Sequence, residues 1–533
     1  MPTEPKARTM KNLFEFIIIA TLPLSLRAQT YNIKDFGGVA DAKTVNTTVI
    51  QRAIDSCNAH GGGTVIIPAG TFISGTIQLF SNIDLCLERG AVLKGSEKIS
   101  DYYLHGKKLG LIYTEDSRNV SITGEGNIDG SGDAFMDLNR SKKIDSAGTA
   151  YTRQGVHFRE VPSGLGDGPL VPLDRPFQMI IFSDCKNVTI RDVTISNSPF
   201  WTLHLADCDG VIVHGVRIWN NVMIPNNDGI DFTSCSNVQV SDCDIRTGDD
   251  GIVAVGYAYH FDLPGYKNLR HTSENITVAN CHIVSRSSAI RVGGWDQNDM
   301  RNYTFSNIVI DSSNRGIHLC VRDSGSIRNV LFSNIYIRTR LFTGDWWGNG
   351  EPINIEAVRG KENVPLGNIR GAKFSHIIAE GSSGILLYAS NESDVEDVSF
   401  SDVSFTLESD PLDSTGGGNF DLRPVTDQRF SLFKHDIPAF FAQHVKDVRL
   451  NEVDIKWSDV RESYFTNGIE FEDFRNVVIE GGTSAPAPHS EAGAAIRLVN
   501  GDGYSVRNVL AASRGARFLS KHNVRQAMLP QSE

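Results

Sequence analysis

The chain has 533 residues, of which 40% are hydrophobic and 21% charged, a composition typical of a globular protein. Its formal net charge of −12 argues against a nucleic-acid partner, because nucleic-acid binding calls for a basic surface. An acidic substrate is not excluded, since a cleft can be locally basic on an acidic protein.

The first 28 residues have the pattern of an export signal. Basic residues precede the apolar run LFEFIIIATLPLSL, which ends in RAQT with a cleavage position after Ala28. An ordinary apolar N-terminal helix is the alternative interpretation. No later segment of the sequence is long and apolar enough to span a bilayer. We therefore predict a signal peptide over residues 1–28 and a mature protein that is secreted or periplasmic, monomeric and without a membrane span.

A motif of the form N-V-x-I-x-[DN]-V-x-I recurs along the chain. NVTIRDVTI, NVQVSDCDI and NVLFSNIYI are examples, and successive copies lie roughly 20 to 40 residues apart. Alternating β-branched residues interrupted by Asn, Asp and Gly indicate short strands joined by turns. We predict an all-β fold, a right-handed parallel β-helix with about three short strands per turn. A β-propeller is the alternative, but its blades would repeat nearer forty residues with a recurrent aromatic signature.

One helix is expected, at the N-terminal end of the solenoid. The segment from Asn46 to His60 has amphipathic spacing and is followed by three glycines, so we predict a helix that caps the open strand edges. We assign residues 29–520 to a single β-helix domain. Loop insertions are expected at about 257–270, 343–352 and 410–445, and residues 521–533 are assigned to a C-terminal tail.

Eight cysteines in an exported protein raise the question of disulfides. Cys185, Cys208, Cys235 and Cys281 each lie just before a strand of the repeat. A residue type that recurs at one repeat position favours a stacked interior ladder of free thiols, with a disulfide framework as the alternative. The sequence lacks CxxC and paired-histidine spacing, so no zinc site is predicted.

Two acidic clusters, NNDGIDF at 226–232 and TGDDGI at 247–252, lie about one repeat apart. If the strand between them makes one turn of the coil, Asp228, Asp249 and Asp250 meet on one solvent-facing wall. Adjacent rungs lie about 4.8 Å apart, so the three carboxylates should not ionise independently and one pKa should rise. Glycosidases use paired carboxylates of this kind for acid–base chemistry. The alternative is that β-helix turns simply favour Asp. That would explain one Asp per turn, but not two consecutive Asp residues in one coil next to Asn-Asp in the preceding coil.

Aligning the coils on their repeated elements places side chains in columns. The residues expected to point into the core are Leu203, Ile230, Ile252, Ile290, Ile317 and Ile353. The first outward column contains His204, Asp231, Val253, Arg291, His318 and Asn354. The second, nearer the turn, contains Trp201, Asp228, Asp250, Ser288, Arg315 and Glu351, and beside it lie Asn227 and Asp249.

Two tryptophans lie in the polar, glycine-rich stretch TGDWWGNGEP, which is expected to form a loop over the same face. Trp346 and Trp347 suit stacking on the apolar face of a sugar, or alternatively form a hydrophobic plug that pins the loop. The predicted substrate-binding residues are therefore Asn227, Asp231, His204, Trp201, Ser288, Arg291, His318, Arg315, Trp346, Trp347 and Glu351.

These residues, together with the stretch from Tyr31 to Phe72 and ITGEGNIDG at 122–130, resemble glycoside hydrolase family 28, the polygalacturonase family. NDGID resembles the N-T-D-G-[IF]-D box of the family, and GDDGI resembles its [GQ]-D-D-C-[IV] box. The resemblance implies a right-handed parallel β-helix and hydrolysis with inversion that needs no metal or cofactor. It also implies that Asp249 is the general acid, and that Asp228 and Asp250 hold and deprotonate the attacking water.

Two boxes of the family are not matched. The G-H-G box falls at 287–289, where Ser288 replaces the histidine. The R-I-K box falls at 318–320, so the Arg and Lys that grip a galacturonate carboxylate are absent, and plain polygalacturonan is not the expected substrate. Arg291 is a candidate for a relocated cation because its planar fork matches a carboxylate or sulfate. Pairing of Arg291 with Asp231 or another acid is the alternative.

We predict an exported, inverting glycoside hydrolase that acts on a pectin-like or other acidic polysaccharide or its oligosaccharides. The long loops at 257–270 and 343–352 favour exo action by closing one end of a cleft. A calcium-dependent polysaccharide lyase is one alternative, but the GDD box lacks the spread acidic ligands of calcium. A non-catalytic carbohydrate-binding protein is the other, but binding alone would not need three carboxylates.

Overall fold

The structure, a computed structural model, describes residues 1, 29–144, 146–161, 165–258, 269, 271–512 and 517–525. The predicted signal peptide lies outside these residues except for Met1. So do 259–268 and 270 of one predicted loop and 526–533 of the predicted tail. None of the described helices is both long and apolar enough to cross a membrane.

Two parallel sheets, here called A and B, run along the domain. Among the described residues sheet B has 14 strands, which span Ile77–Leu79, Ile112–Glu115, Ile180–Ser183, Leu203–Ala206, Ile230–Thr233, Ile252–Val255, Ser288–Gly294, Arg315–Val321, Ile353–Ala357, Ile385–Ala389, Phe440–Gln443, Ile469–Glu472, Ala494–Val499 and Arg517–His522.

Sheet A has 25 strands in the described ranges, which span Thr30–Asn32, Asp41–Val45, Gly63–Ile67, Gly70–Ser74, Ile83–Leu87, Ala91–Gly95, Arg118–Gly124, Asn127–Asp129, Lys186–Arg191, Thr194–Ser196, Asp209–His214, Arg217–Trp219, Ser236–Ser241, Asp244–Thr247, Ser273–Ala279, His282–Ser285, Met300–Ser313, Ile327–Thr339, Ile369–Gly381, Val395–Glu408, Val445–Ser458, Arg475–Glu480, Thr483–Ser484, Asp502–Arg507 and Leu510–Ala511.

A typical coil contributes one strand to sheet B and one long or two short strands to sheet A. The coil formed by Ile230–Thr233, Ser236–Ser241 and Asp244–Thr247 pairs in parallel with the following coil along its whole length. The predicted all-β fold, a right-handed parallel β-helix, is confirmed.

The helical segments are short apart from the N-terminal one. The α-helices span Thr47–Ala59, Ser146–Thr149 and Asp413–Gly416, and the 3-10 helices span Ile33–Phe36, Ile99–Tyr102, Gly132–Phe135, Gly155–His157 and Gln428–Phe430. Helix Thr47–Ala59 confirms the predicted capping helix. It buries Ile50, Ala53, Ile54 and Cys57 against the first coils, which covers strand edges that would otherwise pair with another chain.

The recurring Asn of the sequence motif forms ladders at one turn of the coil. Asn237, Asn275, Asn302 and Asn329 have φ angles between 56° and 62°. The last three donate through their side-chain amides to the Asn of the preceding coil at 3.2 to 3.3 Å, and Asn237 donates to Asp209 Oδ1 at 2.8 Å. Asn suits this position because it tolerates the left-handed backbone and its amide offers both a donor and an acceptor.

The core between the sheets is a stack of identical apolar positions. The predicted core column from Leu203 to Ile353 is buried at all six positions. On the sheet A side, Phe305, Phe332, Phe374 and Phe400 stack with ring centroids 4.7 to 5.0 Å apart. The solenoid therefore buries one layer of apolar side chains per coil, each layer in contact with the next.

All eight cysteines are free thiols. Cys185, Cys208 and Cys235 stack on successive coils, since the residues that follow them pair as Lys186, Asp209 and Ser236. Cys281 does not belong to this ladder, so that part of the prediction is wrong. It lies beside Cys243 in another column, because the adjacent residues Asp244 and His282 pair.

In the part of the chain that the structure describes, three insertions depart from the coils on the sheet B side. The first spans 130–179, contains the antiparallel hairpin of Met136–Ser141 with Leu170–Pro172, and was not predicted. The second connects Thr339 to Ile353 and agrees with the predicted loop 343–352. The third contains the hairpin of Asn419–Asp421 with Leu432–Lys434. A further antiparallel hairpin joins Tyr103–Leu104 to Lys107–Lys108.

Two predicted boundaries need correction. The loop predicted at 410–445 ends earlier, because Phe440–Gln443 is a regular strand of sheet B that pairs with Ile385 to Tyr388. The tail predicted from residue 521 begins later, because strand Arg517–His522 pairs with Ala494–Val499.

Candidate active site

The predicted columns of sheet B are in the predicted register. His204, Asp231, Val253, Arg291, His318 and Asn354 are consecutive backbone partners across six strands. In the second column Ser288 pairs with Arg315, and the amides that follow Asp228 and Asp250 bond to the next coil. The sheet therefore fixes Asp228 and Asp250 on adjacent rungs.

The expectation that this face is open to solvent is wrong. Asp228 is 4% exposed and Asp250 is 1% exposed, and Arg315, His318 and Asn354 are buried as well. The reason is that the described residues of 136–172, 340–352 and 413–424 in the three insertions, here called the wall, are bonded to each other and to sheet B.

Polar contacts hold the wall together. Lys142 forms an ion pair with Asp345 at 2.6 Å, and Arg423 forms one with the same Asp345 at 2.9 Å. The carboxylate of Asp167 accepts from Thr343 N at 3.0 Å. Three parts of the chain that are distant in sequence thus bound one side of the site.

The wall and sheet B enclose a cleft of about 640 Å³. Its aromatic lining consists of Phe200, Trp201, Tyr257, Trp295, Trp346 and Trp347, and its charged lining of Lys142, Asp228, Asp249, Arg291 and Asp345. Aromatic faces and a few converging polar groups are the usual composition of a ligand cleft.

Asp228, Asp249 and Asp250 converge as predicted. One oxygen of each carboxylate lies within 4.8 Å of the others. Asp228 and Asp249 line the cleft, whereas Asp250 lines a small cavity beside it together with Ser288, Arg291, Arg315 and His318. Negative charges at this separation repel one another, so simultaneous ionisation of all three groups is strongly disfavoured.

Asp250 is the carboxylate that is stabilised as an anion. Burial alone would raise its pKa, but the Arg291 guanidinium and the Ser288 N–H outweigh burial and hold the pKa of Asp250 below its usual value. Arg291 Nη1 donates to Asp250 Oδ2 at 2.5 Å, and Ser288 N donates to Asp250 Oδ1 at 2.8 Å.

Asp249 is the carboxylate suited to carry a proton near neutral pH. Burial, followed by the negative charge of Asp250, raises the pKa of Asp249 to about 7. The backbone N–H of Asn226 donates to Asp249 Oδ2 at 3.0 Å, and the Asp250 N–H donates to Asp249 Oδ1 at 3.0 Å. These two amides fix the direction of the carboxyl group.

Asp228 also favours the protonated form. Burial, and then the charges of Asp249 and Asp231, raise its pKa well above the usual value. Its Oδ1 is buried and has no hydrogen-bond partner among the described residues. A buried orphan acceptor on the edge of a cleft is a position for an ordered water or a substrate hydroxyl.

Four predicted substrate-binding residues line neither the cleft nor the small cavity. Asn227 is buried and its amide bonds Asn221 O and Gly248 N, so it shapes the turn. His204 lies beneath Trp201 and contacts Thr233 Oγ1 at 2.9 Å, and burial lowers its pKa to about 3. Asp231 and Glu351 are also buried in the sheet face.

The predicted aromatic residues lie in different environments. Trp346 is buried, and its Nε1 donates to Asp167 O at 3.2 Å, which fits the alternative of a plug that pins the loop. Trp347 is half-buried and meets Trp295 edge-on with centroids 6.3 Å apart. Trp201 stacks on Phe200 at 5.6 Å. Both Trp201 and Trp347 line the cleft.

A buried ionic cluster lies under the wall next to the small cavity. Arg315 pairs with Glu351 at 3.4 Å and Glu356 at 3.5 Å, and Arg322 pairs with Glu356. Both arginines also donate to backbone carbonyls of the third insertion, at Asp421 and Leu422 respectively. The charges of Arg315 and Arg322 are thus used to attach the wall to the sheet.

Several residues of the site were not predicted. Arg175 donates to Pro199 O, Pro225 O and Asn226 Oδ1, so it braces the turn that holds Asp249. No sequence pattern pointed to Tyr257, apart from its position at the start of a predicted loop. Lys142 lies in the insertion that the repeat pattern did not reveal. The one sequence feature that pointed to that segment is the gap in the repeat between about residues 130 and 180.

A parallel β-helix with three converging carboxylates in an aromatic cleft defines a protein with a glycosidase-like site. The family described as Glycosyl hydrolases family 28 matches residues 173–415, which include all three carboxylates. A second family, described as Rhamnogalacturonase A/epimerase, pectate lyase-like, matches residues 30–164. Residues 173–415 therefore match the model of the family that the resemblance pointed to.

Two curated relatives are similar to part of the chain. A probable polygalacturonase of Vitis vinifera is 30% identical over 245 residues, covering 43% of this chain and 44% of the relative. The exo-poly-alpha-D-galacturonosidase of Dickeya chrysanthemi is 28% identical over 250 residues, covering 42% and 41%. The match therefore spans less than half the length of either relative.

Solved structures share the fold. An exopolygalacturonase from Thermotoga maritima aligns with a TM-score of 0.55 at 21% identity, over 80% of this chain and 92% of that one. A family 28 exopolygalacturonase from Yersinia enterocolitica aligns with a TM-score of 0.58 at 19% identity, over 85% and 78%. At these identities the alignments concern the β-helix alone.

Proposed function

We propose that the protein is an exported, inverting glycoside hydrolase that cleaves a pectin-like or other acidic polysaccharide or its oligosaccharides. The observation that carries this proposal is the convergence of three carboxylates within 4.8 Å of one another at an aromatic cleft. Asp250 is stabilised as an anion, whereas the pKa of Asp249 rises to about 7. A neighbouring acid and base are what hydrolysis of a glycosidic bond requires.

In the proposed reaction Asp249 is the general acid. It lines the cleft, and the two amides that bond its carboxyl group hold it in one direction. As the bond to the leaving oxygen breaks, Asp249 transfers its proton to that oxygen. Asp228 and Asp250 hold the water that attacks the anomeric carbon from the opposite side, and the orphan Oδ1 of Asp228 offers an acceptor for that water.

The residues at the R-I-K position support a substrate other than plain polygalacturonan. His318, Leu319 and Cys320 are all buried, and burial followed by the Arg315 charge lowers the pKa of His318 to about 4. A histidine that is neutral at pH 7 is a poor partner for a carboxylate.

The wall supports exo action. Its first and second insertions arise from coils on either side of the carboxylates and meet at the Lys142–Asp345 ion pair. Contact between them encloses part of the cleft, which favours binding of a chain end over binding of an internal segment.

The test is a screen of defined plant and algal oligosaccharides, with wild-type protein and Asp249→Asn in parallel. We expect new reducing ends with the wild type, loss of that activity in the variant, and slow turnover of polygalacturonan. Release of single sugars or short units from one end would support exo action. A product that absorbs in the near ultraviolet would indicate a lyase, and an inactive wild type on every substrate would overturn the proposal.

A further inference from the structure

The small cavity beside the cleft is built around the contact between Asp250 and Arg291. Arg291 donates through Nη1 to Asp250 at 2.5 Å. Its backbone is fixed in sheet B by pairing with Val253 and His318. Arg291 also lines the main cleft, which Asp250 does not. The guanidinium therefore lies at the boundary between Asp250 and the space available to substrate.

Tyr257 holds the second arm of the same guanidinium. Arg291 Nη2 donates to the Tyr257 hydroxyl at 3.1 Å. The Tyr257 ring is buried in a small apolar cluster with Val253, Val255 and Trp295. Both arms of the guanidinium are thus occupied by protein groups, which restricts its rotation.

Gly294 provides the space for this arrangement. A Cβ atom at position 294 would lie 2.4 Å from the Tyr257 hydroxyl oxygen, closer than any real contact allows. The backbone of Gly294 is not in the left-handed region, so conformation does not require glycine here. Room for the tyrosine hydroxyl is the physical reason for glycine at this position.

We propose that Arg291, held by Tyr257, is a positioning residue that keeps Asp250 ionised and aimed at the attacking water, so that Asp250 accepts the proton of that water. This inference rests on the proposed glycosidase function. The water oxygen forms a bond to the anomeric carbon and its proton passes to Asp250. The bond from that carbon to the leaving oxygen breaks, and the leaving oxygen takes the proton of Asp249.

The other charged groups around Asp250 do not supply the same support. The carboxylates that face it, Asp228, Asp231 and Asp249, all oppose its ionisation. His318 lies nearby but its pKa is lowered to about 4. The cavity is also lined by Arg315, Arg322 and Arg423, whose charges are paired with Glu351, Glu356, Asp421 and Asp345.

The first test compares the pH profiles of Arg291→Gln, Arg291→Lys and Tyr257→Phe. For Arg291→Gln we expect kcat to fall by about 100-fold or more, as for loss of a working general base. The acidic limb of kcat/KM should move up by about one pH unit or more, because Asp250 loses its cation. KM should change little. Arg291→Lys should restore the acidic limb, because it restores the charge.

Tyr257→Phe and Gly294→Ala should give smaller changes of the same kind, about 3- to 10-fold in kcat, since each removes one support of the guanidinium. Tyr303→Phe is the matched control, because Tyr303 is also buried and its hydroxyl bonds only Ser273, away from the cleft. An Arg291→Gln variant with raised KM and an unmoved acidic limb would show that Arg291 binds substrate, and would overturn the inference.

A second measurement needs no substrate. In the wild type the pKa of Asp250 lies below its unfolded value, so Asp250 stabilises the fold above that unfolded value. Without Arg291 its folded pKa rises, and an ionised Asp250 destabilises the fold. The melting temperature of Arg291→Gln should therefore fall further below the wild type at pH 7 than at pH 4. A difference that does not depend on pH would also contradict the inference, whereas inactivity of the wild type would contradict only the proposed function.

Discussion

Asp249 and Asp250 are adjacent in the chain, yet their carboxyl groups face different spaces. Asp249 lines the aromatic cleft, and Asp250 lines the small cavity where Arg291 and Ser288 bond both of its oxygens. Neighbouring residues of an extended chain project in opposite directions, which separates the two environments. One carboxyl group is thereby kept protonated near neutral pH while its neighbour remains charged.

Replacement of Asp249 by Asn should reduce kcat by about three orders of magnitude, within the range expected when a general acid is lost. Asn keeps the shape, and its single amide oxygen can accept one of the two backbone hydrogen bonds, so the fold should survive with a small fall in melting temperature. Asp192→Asn, at an exposed turn with a φ of 66°, is the control and should be fully active. A folded Asp249→Asn protein with near-normal turnover would reject the assignment.

The pH dependence of kcat/KM should be bell-shaped with an acidic optimum. Activity needs Asp249 protonated, and its pKa of about 7 predicts a decline as the pH rises through about 7. Activity also needs Asp250 ionised, and its lowered pKa places the acidic limb below the usual Asp range. Measurement of kcat/KM from pH 3 to pH 9 checks both limbs. A rate that keeps rising to pH 9 would be incompatible with this acid.

Removal of divalent cations should leave activity unchanged. The three carboxylates are close enough to hold a cation, but two of them favour protonation and the third is paired with Arg291. Calcium would need six to eight oxygen ligands. Dialysis against a chelator, followed by an activity assay with and without added calcium, tests this. Loss of activity that calcium restores would revive the lyase interpretation.

The first product should have the inverted anomeric configuration. The nearest oxygens of the carboxylates lie within 4.8 Å, below the 6.5–9.5 Å between carboxyl groups that is usual for inverting enzymes. The prediction therefore depends on the roles: Asp228 and Asp250 share the water and neither attacks the sugar. Proton NMR of the product in the first minutes distinguishes the two outcomes. A retained configuration would mean that one carboxylate is a nucleophile.

Glu356 should be essential for stability above pH 4. Burial would raise its pKa, but Arg322 and Arg315 outweigh burial and lower it to about 2. Its contribution is present above the unfolded pKa of about 4.3 and is lost as the pH falls through about 2. Glu356→Ala leaves two buried arginines short of a partner and should cost about 3–5 kcal/mol.

Thermal and urea unfolding of Glu356→Ala, compared with the wild type at pH 7, measure this cost. Glu396→Ala is the comparison, because Glu396 pairs with Lys446 on the more exposed surface of sheet A. The effect there should be below about 1 kcal/mol. Equal losses in the two variants would show that the buried cluster has no special role.

The register of the site could be predicted because each coil places one apolar residue at the same core position. Fixing Ile230, Ile252 and Ile290 in the core determines which neighbours share a column, since side chains alternate along a strand. The partner of Arg291 follows from the same geometry. Asp231 is two strands away in its column, whereas Asp250 belongs to the adjacent coil, and the structure joins Arg291 to Asp250.

The burial of the site could not be predicted in this way. It depends on insertions that carry no repeat, such as the one with Lys142, and on pairings across more than 200 residues, such as Arg153 with Asp436. Sequence periodicity contains no information about where such segments fold back. For the same reason the sequence pattern predicted exposed positions for His204, Asp231 and Glu351, which are buried in the structure.

The wall also changes what happens when terminal coils unfold or are removed. In an ordinary solenoid each repeat contacts only its neighbours, so the loss of terminal repeats leaves distant ones intact. Here Arg153 and Arg159 of the first insertion bond Gly418 and Gly348, in segments that follow much later coils. Fraying that begins near the C-terminal coils would therefore withdraw one side of the cleft. Truncation from the C-terminal end should abolish activity before it unfolds the coils that carry Asp228, Asp249 and Asp250.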